Sequence, residues 1–142
     1  MKKLLIMFGA LLAMVAGGAD LYLTPEFSAG PDTFVAQGKK YRIWGIRPRG
    51  DEERKSIATR SLDRMLGRRE YKFIVRKESP DVVRFAVFGR NGKDQENVAV
   101  RMLKRGLVQH NPNDLPKDEK LHKPYCEAEK QAKKARIGVW AR

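Results

Sequence analysis

The sequence is poor in the residues that most often carry chemistry. Among 142 residues it holds one cysteine, Cys126, and two histidines, His110 and His122. A lone cysteine excludes an internal disulfide framework and a zinc site built on clustered cysteines. The histidines are too far apart for a standard metal-ligand spacing. No Gly-x-Ser-x-Gly occurs, so the nucleophile elbow of a serine hydrolase is absent. Internal repeats and low-complexity linkers are lacking too. Acids are outnumbered: 17 Asp and Glu stand against 30 Lys and Arg, for a net charge of +13. A hydrophobic fraction of 42% still supplies a core and argues against disorder. At ~100–200 residues per domain, the length suits one domain.

The N-terminus is laid out as an export signal. Lys2 and Lys3 precede an apolar run from Leu4 to Ala16, followed by Gly17, Gly18 and Ala19, and charge resumes at Asp20. The run falls short of the ~20 residues that span a bilayer, which favours a cleaved signal peptide over an anchor helix. The expected division is 1–19 as signal peptide and 20–142 as the mature domain. The mature protein is then exported, periplasmic or secreted, with no membrane span of its own. Loss of Lys2 and Lys3 leaves a charge of +11.

Thr33 to Ala36 and Tyr41 to Ile46 read as two strands of a hairpin across Gly38. Asp51, Glu52 and Glu53 open a helix, with acids where the helix dipole favours them. Ile57, Leu62, Met65 and Leu66 form its apolar face, Arg54, Lys55, Arg60 and Arg64 its outer face, and Gly67 its C-cap. Tyr71 to Arg76 alternates as a half-buried strand. Ser79-Pro80-Asp81 breaks it, Val82 to Phe88 forms another strand, and Asn91-Gly92 turns after it. Val98 to Arg105 is a short helix capped by Gly106. Asn111 to Pro124 reads as an extended loop, and Tyr125 to Arg136 as a last amphipathic helix ended by Gly138. This order suits a small twisted barrel with helices packed at one end.

Four stretches resemble the staphylococcal (micrococcal) nuclease-like family. They are Gly30-Pro31-Asp32-Thr33-Phe34, Tyr41-Arg42-Ile43-Trp44-Gly45-Ile46, Leu103-Lys104-Arg105-Gly106-Leu107-Val108, and the run from Glu129 to Trp140. The resemblance spans about residues 30 to 140. It implies an α+β, mainly β fold, a five-stranded OB-type barrel with about three helices, and a phosphodiesterase working on DNA or RNA with calcium.

On that resemblance Asp32 takes the place of the first carboxylate metal ligand and Arg42 that of the first phosphate-clamping arginine. A planar guanidinium suits a phosphate because it can pair with two oxygens at once. The next stretch departs from the family. Where active relatives have a second metal carboxylate this chain has Arg47, and the place of the catalytic glutamate falls on Gly50. Asp51, Glu52 and Glu53 follow, and Glu52 is the candidate to reach back as the glutamate that orients or deprotonates water; the other reading of these acids is a helix N-terminal turn. Arg84 is the candidate second clamping arginine, although alternation along its strand turns it to the wrong face unless a bulge intervenes. Phe88-Gly89-Arg90 imitates the family's arginine motif from a place too close to the turn. Arg47 and Arg49 are candidate substrate contacts, together with Arg68, Arg69, Lys104 and Arg105. Rings for base stacking would come from Trp44, with Tyr41 and Phe88. Calcium is implied with one family carboxylate kept. Three functions compete: a nuclease-like phosphodiesterase with an altered site, a non-catalytic module that binds nucleic acid or another anionic polymer as a monomer, and an envelope protein whose charge meets lipid head groups.

Overall fold

The computed structural model describes residues 19–77, 84–90, 97–113 and 119–141. Strands β1 (Ala19–Leu23), β2 (Phe27–Gly30), β3 (Thr33–Ala36), β4 (Lys39–Ile43) and β5 (Ile46–Arg47) precede helix α1 (Glu52–Leu66). Strands β6 (Tyr71–Lys77) and β7 (Arg84–Arg90), helix α2 (Val98–Lys104), strand β8 (Gln109–His110) and helix α3 (Glu119–Ala135) follow, with a 3₁₀ turn at Gly138–Trp140. The six longer strands form one sheet in the order β1-β6-β7-β4-β3-β2, and β5 pairs with β8. All pairings are antiparallel except β4 with β7. Among the described residues no pairing joins β1 to β2, so the ladder runs open from one to the other.

The expected order of strands and helices is present, with four differences. Strands β1 and β2 flank the expected hairpin; β1 lies against β6 from Ala19↔Val75 to Leu23↔Tyr71. The stretch Tyr41–Ile46 is two strands, because Trp44-Gly45 turns the chain, with Gly45 at φ +87°, and sends Ile46 to β8. The loop expected up to Pro124 is shorter, since α3 starts at Glu119 and takes Pro124 within it. Finally, Ile57 on α1 is 43% exposed; the buried face is Ala58, Leu62, Met65 and Leu66. The readings at Ser79-Pro80-Asp81 and Asn91-Gly92, and the segment 1–18, lie outside the described residues.

Local chemistry explains the element boundaries. Gln37 and Gly38 both have positive φ, +53° and +70°, the backbone of the two-residue turn that matches strand twist. Asp51 caps α1 by accepting a hydrogen bond from the Arg54 amide at 2.9 Å, and the Gly67 amide closes the other end on the Asp63 carbonyl. Asn97 caps α2 through the Ala99 amide at 2.8 Å. The core stacks Phe34 on Tyr41 and on Phe73, with centroids 5.3 and 4.8 Å apart. Two buried tyrosines tie helices to it. The Tyr71 hydroxyl donates to the Met65 carbonyl at 2.7 Å, and the Tyr125 hydroxyl donates to the Trp44 carbonyl at 3.3 Å while accepting from Asn97. Burial pushes the Tyr125 phenol up to about 12, and the hydrogen bond from Asn97 opposes that shift.

The tightest approach is between two glycines. Gly106 ends α2 and Gly138 opens the 3₁₀ turn, at φ +65° and +59°. The Val139 amide donates to the Gly106 carbonyl at 2.8 Å. A Cβ on Gly138 would fall on the Gly106 carbonyl oxygen, and one on Gly106 would fall on the Ile137 carbonyl oxygen. Gly138→Ala should therefore cost about 2–4 kcal/mol, summing overpacking and left-handed strain. Gly38→Ala, which has positive φ but meets nothing within 4 Å, should cost only about 1 kcal/mol. Urea melts of the two variants check this, and equal losses would show that the crossing is looser than described.

Candidate functional site

Asp32 and Arg42 meet on the β3–β4 hairpin. Strand register sets Thr33 opposite Arg42, and the Ile43 amide donates to the Asp32 carbonyl at 2.7 Å. This places Asp32 one step beyond the end of β3, beside the Arg42 side chain. Arg42 Nε donates to Asp32 Oδ2 at 3.3 Å, and the Thr33 hydroxyl donates to Asp32 Oδ1 at 3.1 Å. Asp32 is 6% exposed, so its carboxylate needs these partners. The Arg42 side chain keeps 38% of its surface open. The site is thus an acid fixed inside and a guanidinium reaching outward. Its donor set fits a phosphate oxygen better than a hard cation, which wants several carboxylate and carbonyl oxygens. Among the described residues no group of three His, Cys, Asp or Glu side chains is placed to hold a metal ion.

The other candidates lie elsewhere. Asp51 is the α1 cap, and Glu52 sits in the first turn of α1, its carboxylate 94% exposed and 3.7 Å from Lys55 Nζ. Glu53 is exposed on the same turn. Arg84 opens β7 level with Tyr41, while Phe85 is level with Arg42. The register shift in β7 falls after Ala86, beyond Arg84, so it leaves that pairing unchanged. Arg47 and Arg49 are exposed around β5, and Arg68, Arg69, Lys104 and Arg105 are exposed at helix ends. Trp44 is corrected: it is 6% exposed and Tyr41 3%, both in the core, so neither ring is open for stacking. Arg54, expected on the solvated face of α1, is half-buried and donates from Nη1 to the Gly138 carbonyl.

Trp140, part of the closing family-like run, is a partly buried ring with cations beside it. The Arg49 guanidinium lies 4.4 Å from its ring centroid and Lys133 Nζ lies 4.6 Å from it. Arg49 is also held by Gln109 Oε1 at 3.4 Å, and Lys133 pairs with Glu129 at 3.2 Å. Nothing local announces this meeting, because β5, β8 and α3 bring its members together from distant parts of the chain.

The two histidines also converge. His110 on β8 is 8% exposed, its Nε2 lies 3.4 Å from His122 Nδ1, and its Nδ1 lies 3.7 Å from Cys126 Sγ. The His110 amide donates to Glu129 at 2.6 Å. Burial holds the His110 imidazole below its ordinary value; the Glu129 carboxylate opposes this and the neighbouring His122 ring adds to it. The unfolded chain therefore takes up this proton first. The stability that neutral His110 contributes is complete above the ordinary value of 6.5 and is lost as pH falls below it. Urea midpoints measured from about pH 7 to about pH 5 should drop more steeply in the wild type than in His110→Gln. Parallel profiles would remove His110 as the cause.

Comparison with known proteins adds the lineage. No characterised protein sequence matches the chain. A solved structure described as the extended Tudor domain of Drosophila melanogaster Tudor-SN (p100) superimposes with a TM-score of 0.64 at 19% identity. The overlap covers 72% of this chain and 47% of that one, so this chain spans about half of that structure's length. At that identity the likeness concerns the fold, which is of the staphylococcal nuclease and OB type. The family described as staphylococcal nuclease homologue matches residues 58–142. That match runs from within α1 past the glycine crossing and Trp140 to residue 142, and leaves the Asp32–Arg42 hairpin upstream of it. With well over half the sequence matched and the fold in agreement, the chain belongs to the staphylococcal nuclease homologue family.

Proposed function

We propose that this domain grips the phosphate backbone of DNA or RNA at the Asp32–Arg42 hairpin, as a monomer, without cleaving it. The observation that carries the reading is the pairing of both Asp32 oxygens within the protein, beside an arginine that remains open to solvent. A carboxylate so engaged orients the guanidinium more readily than it collects a cation. Calcium, the ion the family resemblance implies, would have Asp32 as its one family carboxylate. On the same resemblance Arg47 takes the place of the second carboxylate and Gly50 that of the catalytic glutamate. A cation in the ligand set repels calcium directly. The net charge, +13 for the whole chain and +11 without Lys2 and Lys3, supports a polyanionic partner, and backbone contacts of this kind carry no base specificity.

The reading includes export. Cleavage after Ala19 would leave Asp20 to Leu23 of β1 with the sheet. None of the described helices is long and apolar enough to cross a membrane. The second reading, a phosphodiesterase with a rearranged site, rests on the retention of Asp32 and Arg42 side by side.

The test is one experiment with two readouts. Labelled single strands, duplex DNA and RNA are titrated with the protein across a range of salt, then incubated with calcium, magnesium or EDTA. Binding should weaken steeply with salt, and Arg42→Ala should lose about tenfold, or about 1.4 kcal/mol. No metal-dependent product should form. Product that requires both metal and Asp32, absent in Asp32→Ala, would establish the phosphodiesterase instead.

A further inference from the structure

We propose that the groove lined by Arg49, Lys133, Arg136 and Trp140 is a second phosphate-binding station for a nucleic-acid strand, with Arg136 as its principal ligand; this rests on the nucleic-acid reading above. The groove is open to solvent and encloses about 450 Å³. That is within the range of pockets that hold small ligands and large enough for a nucleotide unit. It is built from the stretch just after β5, the C-terminal end of α3 and the 3₁₀ turn, all separate from the Asp32–Arg42 hairpin.

Three observations point to an anion. The first is charge. Three cationic side chains converge on the groove, and the carboxylate of Glu129 engages Lys133 and the His110 amide. Among the described residues no carboxylate pairs with Arg49 or Arg136. The second is preorganisation. Arg49 is fixed on the Trp140 face and by Gln109. A guanidinium held over a ring and by a side-chain hydrogen bond has little side-chain freedom left to lose when it meets phosphate oxygens.

The third observation is strain. Arg136 ends α3 in the left-handed region at φ +54°. Its amide bonds to the Lys133 carbonyl at 3.1 Å, and the Ile137 amide to the Ala132 carbonyl at 3.3 Å. This is the helix-terminating motif in which the left-handed residue is ordinarily glycine. The other two glycine-free choices available to a chain, a different ending or an asparagine, are not used. α2 ends in the same motif with Gly106 in the equivalent place, where the amides of Gly106 and Leu107 bond to the carbonyls of Leu103 and Met102. One chain thus uses glycine at one such end and arginine at the other. An arginine kept where its backbone is disfavoured, beside a cationic groove, is explained by what its side chain holds.

The test uses the full chain and a labelled single-stranded oligonucleotide, titrated at several salt concentrations, with urea melts in parallel. Arg136→Gly should fold more stably than the wild type. It should also bind about fivefold more weakly at moderate salt and lower the slope of log affinity against log salt by about 0.7, the value of one lost contact. Arg136→Lys, which keeps both charge and strain, should hold the wild-type slope. If Arg136→Gly keeps affinity and slope while Arg42→Ala loses them, the groove is not a station and the nucleic-acid reading stands. If Arg136→Gly melts earlier than the wild type, the arginine serves the helix end and the strain argument fails. If the wild type shows no salt-dependent binding, the nucleic-acid reading falls, and the groove with it.

Discussion

The crossing of Gly106 and Gly138 sets the geometry on which the C-terminal half depends. Two helix ends meet there at a separation that admits no side chain, with a backbone hydrogen bond across the contact. The contact fixes where the chain leaves α3, and so where Trp140 lands. It also offers the Gly138 carbonyl to Arg54 of α1, joining the first helix to the last turn. A cleft of about 400 Å³ bordered by Asp51, Arg54, Ile57 and both glycines marks this junction. The basic groove around Trp140 lies beyond it, and both inherit their shape from a contact in which no side chain takes part.

Charge is organised in two ways. At the hairpin an acid is buried and matched, with Arg42 and Thr33 both bonded to Asp32. Isolated surface ion pairs contribute little to stability. A pair with one partner buried has a different weight, since removing the arginine would leave a carboxylate unmatched in low dielectric. Around Trp140 the arrangement is reversed: cations converge on a ring and face solvent. The first arrangement orients one arginine, and the second accumulates positive potential.

Elements governed by local chemistry were legible in the sequence. The Gln37-Gly38 turn, the Asp51 cap and the glycine stops of α1 and α2 all follow from short-range rules. Strands β1 and β2 were missed because Tyr22 and Phe27 are exposed and leave no clean alternation. The start of α3 was missed because Pro124 argues against a helix on local grounds, while Tyr125 and Ala128 are held in the core by tertiary packing. At the site, Asp32 and Arg42 were legible through the family resemblance of their two stretches, and the hairpin brings the two residues, ten apart, together. Trp44 was misread because an aromatic residue beside a strand arginine looks the same from sequence whether it faces the core or solvent. Trp140 was passed over because its partners belong to other elements.

The β3–β4 hairpin has a further consequence, for the order in which the molecule assembles. The Asp32–Arg42 contact closes a loop of ten residues, whereas Arg49 must find Gln109 sixty residues away and Arg54 must find Gly138 eighty-four away. Short loops close at lower entropic cost and sooner than long ones. The parallel pairing of β4 with β7 is also a long-range step, with α1 and β6 between. The hairpin arginine can therefore be seated in a chain that is still largely unfolded. The Trp140 groove exists only once the whole sequence has closed, which makes it a structural record of completed folding.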